Sequence, residues 1–183
     1  ESPKMVFPEI SELLSNKLRF KLKVETLNLA SPKLISYNIG NTFVFNNKSQ
    51  SIATPEGLVT YFKMVFKELH INKLFLKPVH GIGGADCMIL NKQNIKTLIH
   101  KHGHRLLNQS FMYETCIEQH ALISAIHPFS VNTLRIVHYI DQNQITHIIS
   151  TFMRYGVGTG ITDNTSGGGF SIAVNSENGC LEG

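Results

Sequence analysis

The sequence predicts an α+β fold arranged in two lobes. Three observations carry this. Helical and strand patterns interleave along the chain, the clearest helix lies in the first half, and the second half reads mainly as antiparallel strands joined by short turns. At 183 residues there is enough chain for one good core, or for two small lobes sharing a cleft. A hydrophobic share of 42% with 16% charged residues belongs to an ordinary folded protein and excludes a disordered one.

Taken in order, residues 9–28 carry a helical pattern with Leu13, Leu14 and Leu18 on one face. "LISYNIG" and "NTFVFNN" are short strands around a turn at Asn38 to Asn41. In "TPEGLVTYFKMVFKELH", Thr54 can cap a helix and Pro55 suits its first position. Leu58, Val59, Phe62, Val65, Phe66 and Leu69 then recur as one buried stripe, which is core. "LFLKPVHGIGGADCMIL" reads as strand, glycine loop, strand, and "NKQNIKTLIHKHG" as a short helix ending at Gly103. "FMYETCI" is a strand. After a short segment, "VNTLRIVHYI" and "QITHIISTFMR" form a hairpin around Asp141, Gln142 and Asn143. A second glycine-rich loop, "YGVGTGITDNTSGGG", leads into a last strand, "FSIAVN". The expected organisation is a lead-in helical segment over residues 1–15, a first lobe over 16–110 and a second over 111–183.

Composition argues against several function classes. The net charge of +4 is mild, the basic residues are scattered, and no RNP-type aromatic motif occurs, so no nucleic-acid partner is expected. Cys87, Cys116 and Cys180 are widely spaced without CxxC or Cys/His zinc spacing, which argues against a disulfide scaffold or structural metal. Cys87 and Cys116, in apolar runs, are expected to be buried thiols. No secretory signal pattern or apolar membrane span is present, and a reducing, cytoplasmic setting is expected. The chain starts at Glu1 rather than Met and is expected to be a piece of something longer.

The segment with chemistry is the glycine loop. On a strand, Phe75, Lys77 and Val79 share one face, so Lys77 keeps apolar company and must either snorkel out or meet an anion. Gly81, Gly83 and Gly84 free the backbone to turn its N–H groups toward phosphate oxygens. A P-loop fails here because the lysine precedes the glycines, and a dinucleotide fingerprint fails because Asp86 stands where its third glycine belongs. A plain hairpin turn with an edge lysine stays open on this segment alone.

The blocks "LFLKPVHGIGGADCMIL", "MYETCIEQH", "HPFSVNTLRIV" and "TFMRYGVGTGITDNTSGGGFSIAVN" together resemble the ATP-grasp superfamily. More narrowly they resemble the sugar-transfer-associated ATP-grasp family of polysaccharide gene clusters. The resemblance implies two α/β lobes with ATP in the cleft between them. Lys77 resembles the lysine that binds the α- and β-phosphates, and Gly81, Gly83 and Gly84 the loop that closes over them. Glu114, Thr115, Cys116 and Ile117 resemble the hinge that holds adenine, with Glu118 toward the ribose. Lys17 resembles the first nucleotide lysine, although a surface helix lysine is equally compatible with its sequence. Arg135 and Arg154, on paired strands, would clamp an acyl phosphate or carboxylate; the alternative is two surface arginines. Asn164, Gly167 and Gly168 would wall the substrate side together with Asn132 and His120, and a structural histidine remains the alternative for His120.

Family members hold magnesium on late carboxylates, usually including a Glu-x-Asn block. After Arg154 this chain offers only Asp163, Glu177 and Glu182, and Glu177-Asn178 is not that block. The metal ligands are therefore not assigned, and the carboxy-terminal part of the domain is expected to be missing from this chain. The implied activity is an ATP- and Mg2+-dependent carboxylate–amine ligation through an acyl phosphate, on a small carboxylate or sugar-linked substrate. A nucleotide-binding module without turnover and a kinase-like phosphotransferase on the same scaffold are the alternatives.

Overall fold

The computed structural model describes residues 8–182. The chain divides into two compact units, Glu1–Ile82 with Asp86–Cys116, and Gly83–Ala85 with Ile117–Gly183.

The first unit opens with helices α1 (Pro8–Ser15) and α2 (Lys17–Thr26). The helical pattern over 9–28 is divided between these two helices at Asn16, whose backbone is extended (φ −107) and whose side chain caps α2 by accepting from Arg19 N. Six strands follow in one sheet: β1 (Leu34–Ile39), β2 (Thr42–Phe45), β3 (Lys48–Ser51), β4 (Lys73–Pro78), β5 (Met88–Asn91) and β6 (Phe111–Glu114). Their spatial order is β3-β2-β1-β6-β4-β5, and every pair is antiparallel. Helix α3 (Pro55–Glu68) lies between β3 and β4 in sequence, and α4 (Ile95–Asn108) between β5 and β6.

Alternation along the strands gives the sheet two apolar faces. Phe43, Leu74, Leu76, Leu90, Phe111 and Tyr113 pack against the α3 stripe (Leu58, Phe62, Val65, Phe66) and against Ile95, Ile99 and Leu106 of α4. Phe43, Tyr61, Phe62 and Tyr113 form an aromatic cluster there, with centroid separations of 4.9 to 6.4 Å. Met112 and Val79 turn the other way and meet Leu18 of α2. Thr54 caps α3 as expected, its Oγ1 accepting from Gly57 N at 3.1 Å.

Three expectations are corrected in this unit. Helix α4 does not stop at Gly103 but runs to Asn108. Gly103 is the point where α4 passes the start of α3, since a Cβ there would lie 3.2 Å from Pro55 Cβ. The lobe boundary expected at 110/111 falls at Cys116/Ile117, because β6 is a central strand between β1 and β4. The strand itself ends at Glu114 rather than continuing through Ile117.

The second unit contains the short helix α5 (Ala121–Ser124) and strands β7 (Thr133–Ile140), β8 (Thr146–Tyr155), β9 (Phe170–Val174) and β10 (Leu181–Glu182). They form an antiparallel sheet in the order β10-β9-β8-β7. The β7–β8 hairpin turns through Asp141 to Ile145, with Asp141 Oδ1 accepting from Asn143 N and Ile145 N at 2.8 and 2.9 Å. A 3-10 turn, Thr165–Gly167, precedes β9. Among the described residues no helix is long and apolar enough to cross a membrane.

Candidate functional site

In the first unit the expected phosphate residues converge on one sheet face. The register pairs Lys77 with Met112 and Phe75 with Glu114, so Lys77 and Glu114 are diagonal neighbours on β4 and β6. Lys77 Nζ lies 2.7 Å from Glu114 Oε2, and the carboxylate is only 2% exposed. Lys77 therefore meets an anion inside the protein, which resolves the question posed by its apolar strand face. The other oxygen, Glu114 Oε1, is buried with no hydrogen-bond partner. A buried acceptor left this way costs about 1–3 kcal/mol.

Lys17, at the first position of α2, reaches the same region. Its Nζ donates to Gly81 O at 2.5 Å, and its backbone N donates to Val79 O at 3.0 Å. Burial holds the Lys17 ammonium below the usual lysine pKa, while Cys87 raises it and Lys77 lowers it as smaller effects. Cys87 is half-buried rather than buried. Burial pushes its thiol up, and Lys77 and Lys17 pull it back down. Asp86 closes this loop onto α4 through Arg105 (Nη2 to Oδ2, 2.5 Å). Arg105 holds its carboxyl below the usual range.

The expected hinge is only partly free. Thr115 is consumed by Lys33: its N–H donates to Lys33 O and its Oγ1 accepts from Lys33 N, both at 3.0 Å. Cys116 is half-buried, and burial raises its thiol pKa. Ile117 and Glu118 are exposed and belong to the second unit.

The second unit gathers the other half of the expected residues. Gly83 and Gly84, both at positive φ (68 and 70), pack against the Thr162–Ser166 loop. A Cβ on Gly83 would lie 2.8 Å from Ser166 Oγ, and one on Gly84 would meet Asn164 Nδ2. Arg154 is tied in place, with Nη2 3.1 Å from Asp163 Oδ1, Nη2 donating to Thr133 Oγ1 at 2.8 Å and Nη1 to Asn164 Oδ1 at 3.3 Å. Thr133 also donates to Asp163, which is 5% exposed. Arg135 shares the Arg154 face, because Thr133 pairs with Arg154 and Arg135 with Phe152 on the next rung. Unlike Arg154 it is exposed, with no ion pair among the described residues.

Asn132 and His120 both make structural contacts in the second unit. Asn132 is buried, its Oδ1 accepting from Ser130 Oγ (2.8 Å) and Gly156 N (3.2 Å) while Nδ2 donates to His127 O (2.9 Å). Its side chain braces the chain before β7 and leaves no acceptor free for a ligand. His120 caps α5, its Nδ1 accepting from Leu122 N at 3.3 Å. Gly168 takes φ 94 at the end of the 3-10 turn, and Gly167 has nothing closer than Thr162 Oγ1 at 3.8 Å from an added Cβ. The sequence reading missed Asp163 as the counterion of Arg154 and His127 as a brace to Ser130 and Gly158 O. Asp163 could have been found, since it is the sole acid between Arg154 and Glu177.

Of the late carboxylates, two are already engaged. Asp163 is taken by Arg154 and Thr133, Glu182 accepts from Asn175 Nδ2, and no three His, Cys, Asp or Glu side chains among the described residues are grouped to hold a metal.

A strand lysine before a glycine loop, with two antiparallel sheets and their helices, makes this an α+β protein with a candidate anion site. The chain belongs to the sugar-transfer associated ATP-grasp family, whose profile matches residues 3–182. Among solved structures it is similar to D-alanyl-alanine synthetase A from Vibrio cholerae O1 biovar eltor str. N16961, with a TM-score of 0.50 and 16% identity. That match covers 82% of this chain and 36% of the synthetase, so the chain spans little more than a third of that structure, and the likeness is one of fold. No curated protein matches the chain in sequence.

Proposed function

We propose that the chain is the ATP-binding part of an ATP-dependent carboxylate–amine ligase acting in polysaccharide or cell-surface sugar biosynthesis. The observation that carries the reading is the Lys77–Glu114 pair beside the glycine loop, with Glu114 Oε1 still lacking a donor. In this reading Glu114 Oε1 accepts from the exocyclic amine of adenine. Lys77 and Lys17 face the phosphates, and Gly81, Gly83 and Gly84 turn amides toward them. A substrate carboxylate oxygen attacks the γ-phosphorus, the bond to ADP breaks, and an acyl phosphate forms. An amine nitrogen then attacks the acyl carbon, phosphate leaves, and the amine gives up its proton. Arg135, exposed on the sheet, receives the acyl phosphate or carboxylate, and Asn164, Gly167 and Gly168 line the substrate side. Mg2+ would neutralise the phosphates in such a reaction, and no described residue is assigned to it.

Nucleotide titration followed by ADP and phosphate release with panels of carboxylates and amines tests the proposal. Amine-dependent release supports ligation. A stable phosphorylated product without amine makes the protein a kinase, and tight ATP binding without release makes it a binding module. Absence of ATP binding overturns the reading.

A further inference from the structure

The first unit carries a cavity at the other end of the β4–β5 hairpin from the glycine loop. It has a volume of about 430 Å³ and opens between the end of α3 and the start of α4, lined by Lys63, Phe66, Lys67, His70, Lys92 and Ile95. This volume falls in the range of small-molecule sites, roughly 300–1,000 Å³. Phe66 and Ile95, both almost wholly buried, form an apolar floor. The rim holds three lysines and a histidine and no acid.

None of Lys63, Lys67 and Lys92 forms an ion pair among the described residues, whereas Lys21 and Lys77 each do. Glu68, the acid nearest in sequence, is bonded to Asn46 Nδ2 at 2.7 Å. Helix α4 adds to the positive potential, since Asn94 makes no side-chain cap and the first turn of the helix carries no acid. His70, which follows α3 at φ 54, places an imidazole on the same rim.

The cavity is separate from the phosphate lysine. Lys92 N donates to Asn72 O at 3.2 Å at the open end of the hairpin. Lys77 lies five residues further along β4, roughly 17 Å at strand rise.

We infer that this cavity binds a small organic polyanion of the phosphate-ester class, its charged group held by Lys63, Lys67, His70 and Lys92 and its carbon body seated on Phe66 and Ile95. Amide chemical shifts of the full chain, titrated at constant ionic strength with phenyl phosphate and with inorganic phosphate, test it. Saturable shifts are expected at Lys63, Lys67, His70, Lys92 and Ile95, at lower concentrations for phenyl phosphate than for inorganic phosphate. Each of Lys63→Gln, Lys67→Gln and Lys92→Gln should weaken binding roughly two- to fivefold, the strength of exposed ion pairs. Lys77→Met should leave this binding unchanged, which separates its outcome from that of the nucleotide reading. Shifts that do not saturate, that survive all three substitutions together, or that vanish with Lys77→Met would each overturn the inference.

Discussion

Lys77 and Glu114 stand diagonally on neighbouring strands with Nζ and Oε2 2.7 Å apart, the lysine about a quarter exposed and the carboxylate 2% exposed. Lys77 is thus the counterion of a buried acid. Lys77→Met should therefore lower stability as well as nucleotide affinity, by roughly 1–3 kcal/mol, below the value for a fully buried pair because Lys77 still meets solvent. Lys77→Met with Glu114→Gln should recover much of the stability and none of the affinity. Urea denaturation of both variants checks this, and a Lys77→Met chain as stable as the parent would make the pair ornamental.

The tip of the glycine loop makes a sharper test of packing. Gly84 and Gly158 both have positive φ, 70 and 61, but an added Cβ at Gly158 meets nothing within 4 Å, while at Gly84 it meets Asn164 and, at 3.0 Å, Thr162 Cγ2. Gly158→Ala should cost about 1 kcal/mol from backbone strain alone. Gly84→Ala should cost more and should raise amide exchange at Gly83, Ala85 and Thr162 to Ser166, which Gly158→Ala leaves protected. Equal exchange in the two variants would mean the loop tip is not seated on that segment.

The α3 stripe and its cap were legible because a period of 3.6 and a Thr-Pro start are local signals. So was the strand–glycine loop–strand order around Lys77, and its agreement with the family profile rests on residue types at fixed spacing. The β3 strand, Lys48–Ser51, has no apolar alternation and is made by pairing with β2, which no local pattern announces. Gly103 looked like a helix end because a close approach by Pro55, distant in sequence, selects glycine for a different reason. The same limit hid the site's counterions. Glu114 and Asp163 are recognisable as acids, but that they neutralise Lys77 and Arg154 depends on register and loop return. Asn38, fully buried, with Oδ1 accepting from Phe111 N and Tyr113 OH, was invisible for the same reason.

The β7–β8 turn should respond to acid. Asp141 pairs with His147 Nε2 at 3.0 Å and accepts the Ile145 and Asn143 amides, and these hold its pKa below the usual carboxylate range, His147 most strongly. A pKa lower in the folded chain than in the unfolded one means that the ionised form favours folding. That contribution is complete above the unfolded value and is lost as pH falls through the folded one. Amide protection at Asn143 and Ile145 should accordingly decline through the acid carboxylate range, and Asp141→Asn should flatten the profile. A profile unchanged by Asp141→Asn would assign the acid response to another group.

Arg135 and Arg154 lie on one face of the second sheet, yet the structure gives them opposite expected phenotypes. Arg154 is 15% exposed and shares Asp163 and Thr133 in a closed network, so Asp163→Asn leaves a largely buried guanidinium without its carboxylate. That should cost roughly 3 kcal/mol, read as a lower urea midpoint, because most of the penalty is the desolvated charge left behind. Arg135 is exposed and free of such ties, so Arg135→Ala should stay within about 0.5 kcal/mol of the parent. If Arg135 receives a carboxylate or acyl phosphate, its loss should instead appear as weaker use of the acid substrate, with ATP affinity unchanged. Measuring urea midpoints, ATP binding and substrate-dependent ADP release on the same variants separates the two roles. Destabilisation by Arg135→Ala equal to that of Asp163→Asn would place both arginines in the scaffold and remove Arg135 from the candidate site.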